Sequence, residues 1–417
     1  MKLRRVVVTG IGALTPIGKT AEEYWKGLIS GVSGAGPITR FDASKFKTRF
    51  ACEVKNFNAE NYFDRKEARK YDIYCHFGLI AADEAVNDAA FNMDKLDHNR
   101  VGVIMASGIG GLDTLVNEVK NFLEGDGTPR FNPFFIPKMI SDITAGNVSI
   151  KYGFRGPNFC TVSACASSAN ALADAFNYIR LNKADVFVGG GSEAALNPAG
   201  VGGFNAMHAL STRNDDPATA SRPFDKDRDG FVIGEGAGVL VFEEMEHALN
   251  RGAKIYAEVA GIGLSGDAFH MTQPHPEGLG ALLAMRAALE DAEMSINDID
   301  HINTHGTSTP LGDIVEQKAI QSLFGEHAYK ININSTKSMT GHLLGAAGAI
   351  ESIAAILAVK NDIVPPTINH FTDDPEIDNK LNFTFNKAQQ RVVRVALTNT
   401  FGFGGHNASI IFRKFKE

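Results

Sequence analysis

The chain has 417 residues, 44% of them hydrophobic and 21% charged, with a formal net charge of −7. These are globular proportions with room for two domains or one large layered one, and the acidic balance argues against a nucleic-acid binder. No apolar run approaches membrane-spanning length, and the start of the chain runs straight into a β-branched segment that leaves no room for a cleavable signal.

Residues 5–9 read as a strand, and Gly10-Ile-Gly-Ala as the turn that ends it. A helix is predicted over Ala21–Ile29. The charged segment 64–72 leads into a longer helix through Ala90. Residues 101–105 form a buried strand closed by Ser107-Gly-Ile-Gly-Gly111, residues 132–137 an apolar loop with two prolines, and residues 185–188 a strand ending in three glycines. Alternation of strands and helices implies parallel βαβ units with both sheet faces covered. The four cysteines, 52, 75, 160 and 165, include no CxxC pair and no metal-like spacing, as befits reduced thiols of a cytoplasmic protein.

In Thr161-Val-Ser-Ala-Cys-Ala-Ser-Ser-Ala-Asn, small residues surround Cys165, and Leu172, Phe176 and Ile179 follow at helical spacing. The pattern predicts a tight turn that delivers Cys165 to a helix N-terminus, which favours a thiolate. A buried structural cysteine is the competing reading. The second half echoes the first. Val8-Thr-Gly-Ile-Gly matches Val259-Ala-Gly-Ile-Gly, Ile104-Met-Ala-Ser-Gly matches Ile302-Asn-Thr-His-Gly, and the cysteine stretch matches residues 334–349, which sets His342 opposite Cys165. The first half is longer, so its insertions are expected to build pocket walls and a subunit interface. The halves are placed at 1–255 and 256–417.

Of twelve histidines, His98, His247, His301 and His327 read as surface groups, whereas His305 and His342 each sit beside glycine at a strand-to-turn junction. One thiol and two imidazoles suit covalent acyl chemistry. Ser163-Ala-Cys-Ala-Ser, Asn303-Thr-His-Gly-Thr-Ser-Thr, Lys337-Ser-Met-Thr-Gly-His, the run 221–238 and Asn399-Thr-Phe-Gly-Phe-Gly-Gly-His-Asn together resemble the motifs of the β-ketoacyl-acyl carrier protein synthases, most closely the type II (long-chain) bacterial condensing enzymes. The resemblance runs nearly end to end.

That resemblance implies a thiolase fold, two similar fused βαβ halves in α-β-α-β-α layers. It implies a decarboxylative Claisen condensation in which Cys165 carries the acyl chain and His305 and His342 assist decarboxylation of malonyl-acyl carrier protein. Backbone N–H groups of Cys165 and Phe403 would form an oxyanion hole, and Lys337 and Glu351 would order the histidines. Thr307 and Thr309 would bind the pantetheine arm; Ile109, Phe135, Phe204 and Phe403 would line the acyl pocket, with Phe403 as its gate. Acyl carrier protein would dock on Arg65, Lys66, Arg69 and Lys70, which otherwise read as a solvated helix face. A homodimer is implied, with no cofactor, no catalytic metal, and no membrane or nucleic-acid partner. A structural monovalent cation would be held by Asn303, Glu351, Thr398 and Asn399. Two departures from the family pattern, Ser168-Ala169 and His406, put chain-length preference in doubt. Asp225-Lys-Asp-Arg-Asp-Gly imitates a calcium loop, but Gly236 stands where the closing Glu should be.

A thiolase that breaks down acyl chains would carry a second cysteine late in the chain. A partner subunit without catalysis would lack Cys165. An aromatic-polyketide or other specialised synthase remains compatible with these motifs.

Overall fold

A computed structural model describes residues 3–416. Ten strands run in one hydrogen-bonded order that divides into two five-stranded halves. The first half holds, from the middle outward, Val6–Leu14, Gly236–Glu244, Val186–Glu193, Val101–Ala106 and Asn158–Phe159. The second repeats it with Ala257–Gly266, His406–Arg413, Val395–Gly402, His301–Asn303 and Asn332–Asn334. In both, the first two pairings are antiparallel and the last two parallel. The halves are therefore mixed sheets rather than the all-parallel βαβ arrangement the alternation suggested. They join where Val6–Val8 pairs antiparallel with Ala257–Val259.

Five layers follow from where apolar surface goes. Helices Ser167–Arg180 and Ala347–Asn361 pack on each other and against strands of both halves, so they form the central layer. Helix Ala347–Asn361 is apolar all round, which suits an element enclosed on every side. Among the described residues the segment Leu344–Asn361 is the one helix long and apolar enough to cross a membrane, and 89% of it is buried inside the protein. That apolar run is a core helix whose length the sequence reading did not register. Helix Ile73–Ala89 covers the outer face of the first sheet, and Leu279–Asp291 that of the second.

The Gly-Ile-Gly repeats are not turns. Gly10 and Gly12 lie within Val6–Leu14, and Gly261 and Gly263 within Ala257–Gly266. A Cβ on Gly12 would overlap the Ala81 carbonyl of the outer helix, and one on Gly263 the Ala284 carbonyl of its counterpart. Glycine here lets a helix backbone lie directly on a strand. Likewise Val186–Glu193 continues through its three glycines. Helix Ala21–Ile29 forms as predicted, capped by the Thr20 side chain accepting from the Glu23 N–H. Residues 132–137 are part helix: Phe135–Met139 is helical, and Pro137 falls in its first turn, where a missing N–H costs nothing.

Candidate active site

Cys165 lies in a 3-10 turn, Ala164–Ala166, just ahead of helix Ser167–Arg180. The chain reaches it through Ala164, whose φ of +50° is a left-handed conformation. Ser167 cinches this elbow: its hydroxyl accepts from the Ser163 N–H at 2.9 Å and donates to the Ala164 carbonyl at 2.6 Å. In the second half Leu344, at φ +47°, opens the turn Leu344–Ala346 ahead of helix Ala347–Asn361. The structural counterpart of Cys165 is therefore Gly345, not His342. The sequence alignment was three residues out because small-residue composition does not fix register, whereas the left-handed residue does.

Three elements bring the imidazoles to the sulfur. His305 follows strand His301–Asn303, its N–H and that of Gly306 each held at 2.8 Å by the Glu316 carboxylate. His342 is clamped by backbone: its N–H donates to Val232 at 2.8 Å and its carbonyl accepts from Gly234 at 2.9 Å. This is the structural work of the run 221–238. The rings of His305 and His342 stand 5.2 Å apart and perpendicular. Burial, then the neighbouring Lys337 charge, holds both imidazoles well below their ordinary value, so they are neutral at physiological pH. Lys337 is itself buried in an ion pair with Glu351. Burial lifts Glu351 to about 7 against the pull of Lys337, and lifts Glu316 to about 7 against its backbone donors.

Burial also pushes the Cys165 thiol up to about 12, while Lys337 and a hydrogen bond from the Phe403 N–H act the other way. The resting sulfur is thus a thiol; desolvation outweighs the helix N-terminus that the sequence suggested would favour a thiolate. Gly402 brings the Phe403 backbone in: a Cβ on Gly402 would stand 3.1 Å from the Cys165 nitrogen. With no side chain at 402, the Phe403 N–H can reach the Cys165 sulfur.

These groups share a cavity of about 310 Å³ lined by Cys165, His305, His342, Thr307, Thr309, Phe204, Phe231, Leu344 and Phe403. The Thr307 and Thr309 hydroxyls lie 3.1 Å apart on its wall. Ile109 and Phe135 are not in it. Ile109 is 40% exposed, and Phe135 stacks on Phe131 at the surface. None of Arg65, Lys66, Arg69 and Lys70 lines the cavity; they are exposed on and just after the short helix Arg65–Ala68. Ser168 and Ala169 do not face it either. Ser168 caps the Ala349 N–H at 3.0 Å and Ala169 packs on Gly348, so this departure lies between the central helices. His406 is exposed beside Gly404. His301, read as a surface group, is buried with its Nε2 2.8 Å from Asn334 Oδ1.

Asp225 of the calcium-like run accepts the N–H groups of Phe371, Thr372 and Asp227. It ties loops together. Among the described residues no cluster of three or more His, Cys, Asp or Glu side chains has metal-binding geometry. Of the four residues assigned to a cation, Asn303 Oδ1 and Glu351 Oε2 are buried oxygens with no hydrogen-bond partner among the described residues, which suits a hard monovalent ion. The Asn303 amide approaches the Thr398 hydroxyl at 3.4 Å, whereas the Asn399 side-chain oxygen is already taken by Ser409. Sequence reasoning missed Glu193 and Glu316. The signal for Glu316 was an acid on the stripe that also carries Ala319 and Ile320; nothing local marks Glu193.

A cysteine at an elbow, two neutral imidazoles and a backbone N–H on the sulfur suit an acyltransferase that works through a thioester on the enzyme. The comparisons carry this to a family. Residues 3–248 match the description "Beta-ketoacyl synthase, N-terminal domain" and residues 256–371 "Beta-ketoacyl synthase, C-terminal domain". The chain belongs to the β-ketoacyl synthase family. It is 49% identical to the 3-oxoacyl-[acyl-carrier-protein] synthase 2 of Synechocystis sp., covering 100% of this chain and 99% of the relative. It is 47% identical to proteins of that name from Staphylococcus aureus, with 99% of both chains covered, and Vibrio harveyi, with 100% of both covered. Among solved structures, a β-ketoacyl synthase from Burkholderia phymatum superposes with a TM-score of 0.91 at 35% identity, over 99% of this chain and 100% of that one. A ketosynthase solved in complex with its type II polyketide acyl-carrier protein gives the same score, identity and coverage.

Proposed function

We propose that this protein condenses malonyl-acyl carrier protein with an acyl chain held on Cys165, extending a fatty acid by two carbons. The observation that carries the reading is the single cavity shared by Cys165, two neutral imidazoles and the Thr307–Thr309 pair. The Cys165 sulfur attacks the incoming acyl thioester, and its proton leaves with the pantetheine thiol. The oxyanion formed is held by the N–H groups of Cys165 and Phe403. Malonyl thioester then enters, and His305 and His342 donate hydrogen bonds to its thioester oxygen as carbon dioxide leaves and enolate charge develops. Neutral imidazole serves this better than imidazolium, because the enolate need not be fully protonated before it attacks. Its carbon attacks the acyl–Cys165 carbonyl, and collapse releases the Cys165 thiolate. Lys337 and Glu351 order the histidines, and Phe403 gates the chain. Asn303, Glu351 and Thr398 would hold a structural cation that takes part in no step.

Full-length identity of 47–49% to proteins named 3-oxoacyl-[acyl-carrier-protein] synthase 2, against 35% to the ketosynthase of a type II polyketide system, favours fatty-acid elongation. Intact-protein mass after exposure to acyl-carrier proteins of several chain lengths tests the reading. An adduct on the wild type and none on Cys165→Ala is the expected result, most complete with medium to long chains. Adducts from acyl-coenzyme A alone would overturn it. If carrier protein docks on the basic segment, Arg65→Glu with Lys66→Glu slows acylation in a salt-dependent way; an unchanged rate removes that assignment.

A homodimer is supported by exposed Leu123, Phe131, Phe134, Ile136, Ile150 and Val162, an apolar surface that includes residues next to the open edge strand Asn158–Phe159. Sedimentation should return a two-chain species. A one-chain species at micromolar concentration would contradict it.

A further inference from the structure

Glu193 is fully buried and does not line the cavity. Its Oε2 accepts the N–H groups of Gly108 at 2.8 Å and Gly345 at 3.0 Å. Its Oε1 accepts the Ser107 hydroxyl at 2.9 Å and the Ile109 N–H at 3.3 Å. One carboxylate therefore ties the 107–109 loop of the first half to the segment three residues beyond His342 in the second. Gly108 also abuts the nucleophile elbow: a Cβ there would lie 3.3 Å from the Ala164 carbonyl.

The internal symmetry says what this carboxylate replaces. Glu193 ends its strand opposite Gly236, and Gly402 ends the corresponding strand opposite His406. Glu193 and Gly402 are thus equivalent positions, as are Cys165 and Gly345. In one half glycine faces the elbow and leaves the Cys165 N–H free for a substrate oxyanion. In the other half the elbow N–H of Gly345 is filled by the protein's own carboxylate.

We propose that Glu193 is a positioning residue: an anion built into the second elbow that locks the His342 segment in register with the Cys165 elbow. The inference rests on the condensing reading above and deepens it. Acyl transfer to Cys165 needs the sulfur and its oxyanion donors, whereas condensation also needs His342 placed correctly against them. Loosening the tie therefore slows the second step more than the first.

Glu193→Gln keeps the volume but turns an amide N–H towards backbone donors. Misplacement on the scale of 1 Å costs up to about 10²-fold, so condensation kcat should fall about tenfold or more. KM for malonyl-carrier protein should stay within about twofold and acylation of Cys165 within about threefold, since neither uses the tie. The negative charge of Glu193 works against a Cys165 thiolate, so the pH profile of Cys165 alkylation should move to lower pH in the variant. A folding role alone would not move the split, whereas the profile reports only the loss of charge. In a folded variant, unchanged kcat, or an equal fall in both steps, overturns the proposal. If Glu193→Gln does not fold, Ser107→Ala removes one donor only, and it should cut condensation about threefold with acylation unchanged. Unchanged condensation in that variant overturns the proposal too. Failure of wild-type Cys165 to take an acyl chain would instead bring down the condensing reading, and this inference with it.

Discussion

On the proposed mechanism Cys165 offers its backbone N–H to the substrate, and the residue facing it has no side chain. A Cβ at Gly402 would come within 2.8 Å of the Ser163 carbonyl and 3.1 Å of both the Cys165 and Ala166 nitrogens. Gly402 itself has an ordinary negative φ, so alanine is conformationally allowed and its cost is steric. Gly402→Ala should therefore lower condensation kcat by about 10²–10³-fold, the usual loss for one oxyanion donor. The same overlap should cost about 1–3 kcal/mol of stability, read as a fall of a few degrees in melting midpoint. Activity within about twofold of wild type would show that the oxyanion is held elsewhere. The same scale separates what was legible from what was not. Cys165, His305, His342 and Phe403 stood out because reactive or aromatic residues among glycines and small neighbours have a local reason to be there. Glu193 and Glu316 did not, because their importance lies in backbone donors that only folding brings to them.

At the scale of elements, helices with caps and an apolar stripe were readable, as at Ala21–Ile29. Glycine was the main source of error, since it serves two needs that look alike in sequence. Gly341, at φ +67°, marks a real break in the backbone just before His342. Gly12 and Gly263 mark nothing of the kind; they lie in strands so that a helix can press against them. The repeat itself was visible from these glycines, yet its register was not, because the elbows at Ala164 and Leu344 use non-glycine residues in a left-handed conformation. Strand direction was also misjudged. The antiparallel central pairs are joined through long segments whose return path leaves no local pattern. Ile109 and Phe135, assigned to the pocket by resemblance, do not line the cavity of the single chain.

For the whole molecule, the seam between the halves is short, three residue pairs from Val6 to Val8, and one carboxylate reinforces it. Glu258, its side chain 4% exposed, accepts Arg5 at 2.8 and 2.7 Å from the start of the chain and Arg413 at 2.8 and 2.7 Å from the end. Burial alone would raise its pKa, but the two guanidinium groups outweigh that and hold it below the ordinary carboxylate value. Both arginines are more than a third exposed, so the full cost of breaking a buried pair does not apply. Glu258→Gln should cost about 2 kcal/mol, or about 2–3 °C in melting midpoint for a chain of this size. Turnover at 25 °C should not change, since Glu258 is remote from the cavity lining. The sign with pH follows from the depressed value. The wild-type advantage is present above the unfolded pKa of about 4.5 and is lost as pH falls through the lower folded value. Melting curves of wild type and variant should thus run apart at pH 7 and draw together as pH falls below the unfolded value. Curves that stay parallel throughout would mean that Glu258 acts through packing and not through its charge.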